Sequence, residues 1–475
     1  MENNRTTLSA GVAVSIVLLL YSWFITISPW YARGATSDYY SRMAESFRER
    51  QLELQEKPDP ALLALPNPYD HRARKDVHVL GDASLYNGKY YLYFGPFPGL
   101  VLAVVSAILP VKPGDHIFVY LFIAGLFCIQ SLFFMGIVRR FIPDVPGWFI
   151  PLGILVLGLT GPFTRMLAHP FIHEAAIAGG QFLFTTGFYF AFLAVTGRHP
   201  QVGKLWLAGI FWAFSIATRT TQLIPVVFMV LMTWLYFFHE YRRLNQVREL
   251  LSSTLALTVP LGLCGVILGG YNWARFDSVL EFGLYYQLAA FNLQANYDIL
   301  FSRVYLIQNI FNYFLNPFEV TGSFPFTHPL PGSENPVLSS FELPNLYAVE
   351  GRFAGALMST PFLLFSILPV LILVFNSGGK FGNGKPFTPF IWTILSLLGS
   401  FIAGCLAVLF YFYVGFRFET EFIPSLTMLA LAGFCLGDQV LDTRSSRTWF
   451  TVTGAGLLVF SILMNLALSY SGLSG

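Results

Sequence analysis

Long apolar segments alternate along this chain with short loops that carry Lys and Arg. The first apolar segment, 8–28, has the length of about 20 residues that a membrane-spanning helix needs. Only 11% of the residues are charged, against about 25% in soluble domains, which indicates that most of the surface faces lipid. The pattern therefore predicts a polytopic membrane protein. The formal charge of +2 gives no reason to expect a nucleic-acid partner.

The basic loops determine the predicted topology, because cytoplasmic loops carry the excess of Lys and Arg. If Arg5 and these loops are cytoplasmic, each basic loop must be joined to the next by an even number of spans. The apolar segments supply that number. The basic residues are Arg139 and Arg140, Arg198 and Lys204, Arg242, Arg243 and Arg248, Lys380 and Lys385, and Arg444 and Arg447. The predicted spans are 8–28, 116–138, 148–162, 175–196, 205–218, 222–238, 250–273, 354–375, 391–414, 422–437 and 450–470.

Two apolar segments do not have the length of a single membrane span. Segment 97–111 has only about 15 residues, and counting it as a span would put Arg139 and Arg140 outside, so it is predicted to be a re-entrant or interfacial helix. Segment 204–238 would be about 50 Å long as one helix, against a hydrocarbon core of about 30 Å. It is therefore predicted to be a helical hairpin with Arg219 at its outer tip. The expected fold is all-α, with about 11 transmembrane helices and one half-helix in a single domain, 1–475.

Polar and irregular segments gather on the predicted outer side. The largest are the first outer loop, 33–98, and a second loop, 274–353. In the second loop, 301–315 is interpreted as an interfacial helix and the Pro/Gly-rich run 316–344 as a flexible lid. The inner connections are short and contain no nucleotide-binding glycine loop, so coupling to ATP is not expected. The chain is expected to lie in the inner (plasma) membrane, with an uncleaved first span and a cytoplasmic N-terminus.

The first outer loop contains the residues with the clearest chemical interest. Tyr40, Met43 and Phe47 fall on one helical face, which predicts an amphipathic helix on the membrane surface. Asp38 stands at the start of this helix, either as a cap or as a catalytic base at the lipid-water boundary. Asn87-Gly88 predicts a small hairpin between two aromatic runs, which could instead be an interfacial aromatic belt.

These motifs, taken in order, resemble the GT-C superfamily of membrane glycosyltransferases. The similarity rests on a Ser-Asp-Tyr-Tyr helix after the first span, and on a Tyr-Asn-Gly-Lys-Tyr-Tyr segment that runs into Gly-Pro-Phe-Pro and a short apolar helix. Segments 272–287 and 416–424 add to it, and the chain looks most like bacterial relatives of the protein mannosyltransferase and aminoarabinose transferase branch. The resemblance implies inverting transfer of a hexose or pentose from a polyprenyl-phosphate donor, on the outer face, to a lipid, glycan or protein acceptor, without a cofactor.

The resemblance also implies roles for individual residues. Asp38 matches the position of the catalytic base, and Glu174 that of a second functional acid. Lys89, Arg219 and Arg417 are expected to bind the donor phosphate, although Arg219 and Arg417 could instead pair with Glu419 or Glu421. Arg275 is a weaker candidate, because Asp277 could satisfy it locally. The residues expected to contact substrate are Tyr39, Asp82, Tyr86, Tyr91 and His173.

Metal binding and two other functions are the alternatives. His169 and His173 are four residues apart beside Glu174, but Pro170 interrupts their helix, so no metal site is predicted. A transporter or lipid flippase would place ionisable residues near the bilayer midplane, often in two repeated halves, whereas here they lie at loop ends and no repeat is detectable. A non-catalytic scaffold that kept the fold is the other alternative, and it should tolerate Asp38→Asn.

Overall fold

The computed structural model describes residues 2–32, 34, 36–109, 111–143, 145–197, 201–330, 343–352, 354–375, 387–441 and 443–471. Arg33 and Phe353, which bound the two large predicted outer loops, lie outside the described residues, as do the basic residues Arg198, Lys380 and Lys385. Residues 331–342 of the predicted lid, 316–344, lie outside them as well.

Helices make up most of the described chain, as the apolar segments predict. The α-helices are α1 (Glu2–Thr26), α2 (Pro29–Ala32), α3 (Tyr39–Arg48), α4 (Pro60–Leu63), α5 (Phe97–Ile108), α6 (Asp115–Phe141), α7 (Phe149–Leu159), α8 (Phe163–Ala168), α9 (Ile172–Val195), α10 (Val202–Thr218), α11 (Leu223–Arg243), α12 (Val247–Phe276), α13 (Leu306–Ile310), α14 (Ala356–Ser359), α15 (Ile367–Phe375), α16 (Pro389–Leu409), α17 (Ile423–Val440) and α18 (Arg444–Ser471).

Short strands and tight helical turns occupy the connections. The strands form three two-stranded ladders, β1 (Ala83–Tyr86) with β2 (Lys89–Leu92), β3 (Phe318–Val320) with β4 (Thr327–Pro329), and β5 (Ala348–Val349) with β6 (Tyr413–Val414). The 3-10 turns are Thr220–Gln222, Leu284–Tyr286, Gln294–Ile299, Arg303–Tyr305, Pro361–Ser366 and Phe416–Glu421, and Phe311–Leu315 is a π-helical turn.

Eight helical segments of the described chain are long and apolar enough to cross a membrane, by length and composition. They are α1, α6, α9, α12, α16, α17, α18 and the segment Thr220–Arg243, which joins a 3-10 turn to α11. Four shorter apolar helices accompany them, namely α5, α7, α10 and the segment Pro361–Phe375. The prediction of an all-α multi-pass membrane protein is confirmed.

The predicted spans and the observed helices differ mainly in length. Each of the 11 predicted spans coincides with an apolar helix, but three of these helices are shorter than a usual crossing. The clearest case is α7, which has 11 residues because Gly161, with φ of +82°, and Pro162 break the backbone before α8 begins. The predicted re-entrant segment is a 12-residue helix, α5, and the predicted hairpin turns between α10 and α11.

The loop 33–98, predicted to be the first outer loop, folds largely as its pattern predicts. In α3, Tyr40 and Met43 are buried, and Met43 contacts Gly99 of α5, so the apolar face of α3 packs on the half-helix. β1 and β2 form an antiparallel hairpin whose turn residues, Asn87 and Gly88, both have positive φ, as a two-residue turn requires.

Several loops meet at one end of the helix bundle, which we call the polar end. Ser28, after α1, donates a hydrogen bond of 2.7 Å to the backbone oxygen of Ala168. The backbone N–H of Ile172, at the start of α9, donates one of 3.0 Å to the hydroxyl of Ser37. The end of α1 therefore contacts the end of α8, and the loop before α3 contacts the start of α9.

A close backbone approach positions the loop at 416–421. Gly404 of α16 lies so close to the backbone oxygen of Glu421 that a Cβ atom there would overlap it. Small residues at helix contacts allow such approaches in membrane proteins. The turn Phe416–Glu421, which is fully buried, is thereby held against α16 at the polar end.

Candidate active site

Three elements bring Glu174, Glu350 and Arg417 together at the polar end. Parallel pairing of β5 with β6 places Glu350 beside the turn that carries Arg417, and the N–H of Glu350 donates to the oxygen of Val414 at 2.7 Å. The Nη1 atom of Arg417 lies 2.5 and 2.6 Å from the two carboxylate oxygens of Glu350. It also lies 3.5 Å from Oε1 of Glu174, in the first turn of α9. One guanidinium group therefore joins two carboxylates.

Arg417 remains charged despite its burial. Burial by itself would lower the pKa of Arg417, but the neighbouring charges of Glu174 and Glu350 raise it above its ordinary value. The Nε atom of Arg417 is buried and has no hydrogen-bond partner among the described residues. An unsatisfied buried donor costs about 1–3 kcal/mol, so an anionic ligand that accepts from Nε would be stabilised here.

Arg219 forms a second ion pair next to the first. Its Nε atom lies 2.7 Å from Oε1 of Glu421, whose side chain is only 1% exposed. Gln222 donates to Oε2 of the same carboxylate at 2.6 Å. The guanidinium groups of Arg219 and Arg417 lie 5.6 and 5.3 Å from the centroid of the Phe418 ring. The structure thus brings these two predicted phosphate ligands to one ring.

His173 and Asp82 border the same cluster. Nε2 of His173 lies 3.9 Å from Oδ1 of Asp82, and Gln287 donates to that oxygen at 3.1 Å. Asp82 has a left-handed backbone, with φ of 58°, which is uncommon for a non-glycine residue and is found at functional sites. Tyr39 reaches this region through its hydroxyl, which donates to the oxygen of Gly81 at 2.5 Å. Three predicted substrate contacts, Tyr39, Asp82 and His173, are therefore grouped.

Asp38 lies beside this cluster and has another partner. Its side chain is 53% exposed and accepts a hydrogen bond of 2.7 Å from Nε of Arg42, which also binds Glu56. Asp38 makes no side-chain cap, and the capping interpretation is wrong, because Asp115 accepts from the N–H groups of Tyr39 and Tyr40 instead. The described residues contain no direct contact between Asp38 and either Arg219 or Arg417.

Three predicted site residues of the hairpin make their contacts away from Arg219 and Arg417, namely Lys89, Tyr86 and Tyr91. Lys89 lies on the exposed side of the hairpin, with Nζ 2.6 Å from Glu53. Tyr86 donates to Asp277 at 2.9 Å, and the Tyr91 ring contacts Phe276 edge-on at 5.4 Å.

The expected local pairing of Arg275 with Asp277 is wrong, because Asp277 accepts from Tyr86. Arg275 is buried, and it donates instead to the backbone oxygen of Leu92 at 2.6 Å and to Asn272 at 2.7 Å. It holds α12 to the hairpin.

Several charged residues at this end were not predicted as site residues. Glu350, which is half-buried, is the main partner of Arg417 in place of the alternative partners Glu419 and Glu421, and its loop carries no periodic signal. For Arg219 the alternative pairing with Glu421 is confirmed. Glu419 lies near Arg165, whose guanidinium is 4.1 Å from the centroid of Phe416. Burial raises the pKa of Glu419 to about 8, although Arg165 opposes the shift. Asp115 could have been found, since it follows Pro113-Gly114 at a helix start.

The two histidines that are four residues apart, His169 and His173, have separate surroundings. Nδ1 of His169 accepts a hydrogen bond of 3.0 Å from the indole of Trp30, whereas His173 faces Asp82 and the edge of Phe94. Within the part of the chain that the structure describes, no group of three or more His, Cys, Asp or Glu side chains is arranged to hold a metal ion.

The fold and the site together define a multi-pass membrane protein with two buried arginine–glutamate pairs at one end. No family model matches the sequence, and no curated protein matches it either. Solved structures of similar fold include ArnT from Cupriavidus metallidurans bound to undecaprenyl phosphate, with a TM-score of 0.47 and 11% identity over 97% of this chain and 76% of that one.

An oligosaccharyltransferase from Archaeoglobus fulgidus, tethered to an acceptor peptide, is similar with a TM-score of 0.46 and 13% identity, over 97% of this chain. This chain spans 55% of the archaeal protein, about half its length. With TM-scores below 0.5 and identities below 25%, these likenesses concern the fold alone.

Proposed function

We propose that this protein is a GT-C glycosyltransferase that moves a hexose or pentose from a polyprenyl-phosphate donor to a hydroxyl group of a lipid, glycan or protein acceptor. The observation that supports it best is the placement of Arg219 and Arg417 around Phe418, with a buried, unpartnered Nε on Arg417. Two guanidinium groups beside one ring suit a phosphate, which has several acceptor oxygens. In this proposal the polar end is the outer face of the inner (plasma) membrane, and the N-terminus is cytoplasmic.

A lipid tail could approach these arginines along an apolar surface. Phe97 of α5 stacks on Phe214 of α10, with ring centroids 4.2 Å apart, and Phe214 is 37% exposed. Arg219 directly follows α10, and Gly95 packs against the last backbone oxygens of that helix. A polyprenyl chain lying on α5 and α10 would therefore place its phosphate beside Arg219.

The proposed reaction uses Asp38 as the general base. Asp38 takes the proton of the acceptor hydroxyl while the acceptor oxygen forms a bond to C1 of the sugar. The bond between C1 and the phosphate oxygen breaks, and its electron pair leaves on the phosphate, where Arg219 and Arg417 stabilise the added charge. Attack opposite the leaving phosphate inverts C1. Glu174 holds Arg417 in place, and Lys89 contributes only a distant positive charge.

The test uses the purified full chain in lipid nanodiscs with a panel of synthetic undecaprenyl-phosphate hexoses and pentoses. Release of undecaprenyl phosphate and formation of a new glycoside are followed by mass spectrometry. We expect turnover of at least one donor, and its loss in Asp38→Asn. Movement of a labelled donor across a vesicle bilayer, with no glycosidic bond broken, would favour the flippase alternative. Unchanged turnover in Asp38→Asn, with the protein present at normal levels, would show that Asp38 is not the general base.

A further inference from the structure

A polar cavity of about 270 Å³ lies beside Asp38, and neither Arg219 nor Arg417 lines it. Its charged lining consists of Asp38, Arg42, Glu45, Glu56 and Lys112. Tyr39, the residue after Asp38, donates through its hydroxyl to the oxygen of Gly81, next to Asp82. Asp38 therefore lines this cavity, and its chain neighbour Tyr39 borders the cluster that contains His173.

The charges in the cavity are interleaved. Arg42 binds both Asp38 and Glu56, and Lys112 binds Glu45. The lining thus has three carboxylates and two cations, an excess of negative charge that does not suit a phosphate. An apolar side chain would cover these charged groups without offering them partners, which is costly. A hydroxyl group both donates and accepts hydrogen bonds, so a polyol can bind carboxylates and cations side by side.

The ion pairs in the lining are open to exchange with a ligand. The side chains of Arg42, Glu56 and Glu45 are 36%, 30% and 27% exposed, and that of Lys112 is 74% exposed. Ion pairs at such exposure contribute only about 0–1 kcal/mol, so sugar hydroxyls can insert between the partners at little cost.

The cavity also lies at the level of the membrane surface. Lys112 follows the end of α5, where Val104, Ile108 and Leu109 are exposed apolar side chains. In a membrane protein such a helix face contacts lipid, and a Lys at its end lies at the interface.

From these observations we infer that the cavity beside Asp38 is the acceptor subsite and that it binds a carbohydrate through its hydroxyl groups. The inference rests on the proposed function for the role of Asp38, and it names the acceptor as a glycan. The glycan could be free or carried on a lipid, and the same sugar chemistry serves both.

Saturation-transfer NMR tests the inference without turnover. The full chain in nanodiscs is presented with methyl hexosides and pentosides, with the decyl glycosides of the same sugars, and with a Ser/Thr-containing peptide. We expect signals from at least one methyl glycoside, and about tenfold weaker binding in Glu56→Gln, because a hydrogen bond to a charged group is lost. Glu49→Gln, an exposed change at the end of α3, is the matched control and should bind as wild type.

Tighter binding of the decyl glycoside would identify a lipid-linked glycan, and equal binding a free one. Lys112→Met gives a second variant at the exposed rim if Glu56→Gln melts at a lower temperature. Peptide binding that depends on Glu56, or glycoside signals that neither variant weakens, would overturn the inference. Donor cleavage with water as acceptor is measured separately, so failure of the proposed function is seen as an absence of cleavage while glycoside binding persists.

Discussion

Arg219 and Glu421 are separated by 202 residues in the sequence, yet Nε of the arginine lies 2.7 Å from a carboxylate oxygen of the glutamate. The pair joins the tip of the α10–α11 hairpin to the turn that carries Arg417. A guanidinium that already has one carboxylate partner through Nε still has two terminal nitrogens for a second anion. This contact therefore both holds two loops together and orients a candidate phosphate ligand.

Separating these two roles requires a double-mutant cycle. Arg219→Gln leaves a buried carboxylate without its cation, so we expect it to destabilise the protein by about 3 kcal/mol. The double variant Arg219→Gln/Glu421→Gln should recover much of the melting temperature, because no unpaired charge remains. It should not recover binding of undecaprenyl phosphate, measured by native mass spectrometry. Recovery of both properties would show that Arg219 serves only to pair with Glu421.

Asp38→Asn should affect catalysis and hardly affect folding. The Asp38 side chain is half exposed and caps no helix, so loss of its ion pair with Arg42 should change stability by less than about 1 kcal/mol. Loss of a general base should lower kcat by about 10²–10⁴-fold. The measurements are donor turnover and melting temperature, with Glu49→Gln as the control. A large drop in melting temperature would point to a structural role.

The buried Glu419 should make stability depend on pH. Burial raises its pKa in the folded state to about 8, from an ordinary value of 4.5. The folded state thus favours the protonated carboxyl. The stabilising contribution of this group to the free energy of unfolding is present at low pH and is lost as the pH rises through about 8. Glu419→Gln should melt like wild type near pH 5 and above wild type at pH 9. The difference is of the order of a few kcal/mol, since a pKa difference of one is worth about 1.4 kcal/mol. Equal melting curves at both pH values would contradict this.

The close approach of Gly404 to Glu421 should make that glycine intolerant of a side chain. Gly404→Ala must displace the backbone of the turn Phe416–Glu421, and with it Arg417. We expect a lower melting temperature, by about 1–3 kcal/mol in stability, and weaker donor binding. Gly456→Ala is the matched control, because Gly456 is also within a helix and has open space around its Cβ position. Equal effects of the two substitutions would argue against this packing.

Membrane orientation can be tested with reporter fusions at the ends of described elements. A fusion at Arg243, at the end of α11, should report the cytoplasm, and one at Gly81, before β1, the outer side. The physical reason is that the loops after α6 and α11 are basic, and loops rich in Lys and Arg lie on the cytoplasmic side. An outer-side signal at Arg243 would reverse the proposed orientation. Fusions at Lys385 and Ser333 should report the cytoplasm and the outer side, respectively, and both positions lie outside the described residues.

Local sequence determined the elements of this protein. Apolar runs between basic loops located the membrane helices, because a segment buried in lipid must satisfy its own backbone hydrogen bonds and be apolar throughout. Asn87-Gly88 located the hairpin, since both positions need positive φ. The spacing of Tyr40, Met43 and Phe47 placed the surface helix and its buried face. Each of these depends on residues only a few positions apart.

Tertiary structure decided which charged side chains meet. Arg417 binds Glu350 through the pairing of β5 with β6. Asp115 takes the place of Asp38 as the acceptor for the first N–H groups of α3. The sequence around Asp115 marks a helix start, but nothing in either segment indicates which partner it meets. An ion pair forms where folding brings two loop ends together, and several carboxylates near this end could have been partners on charge alone. The choice depends on close backbone packing, such as that of Gly404 on Glu421, which spacing along the chain does not encode.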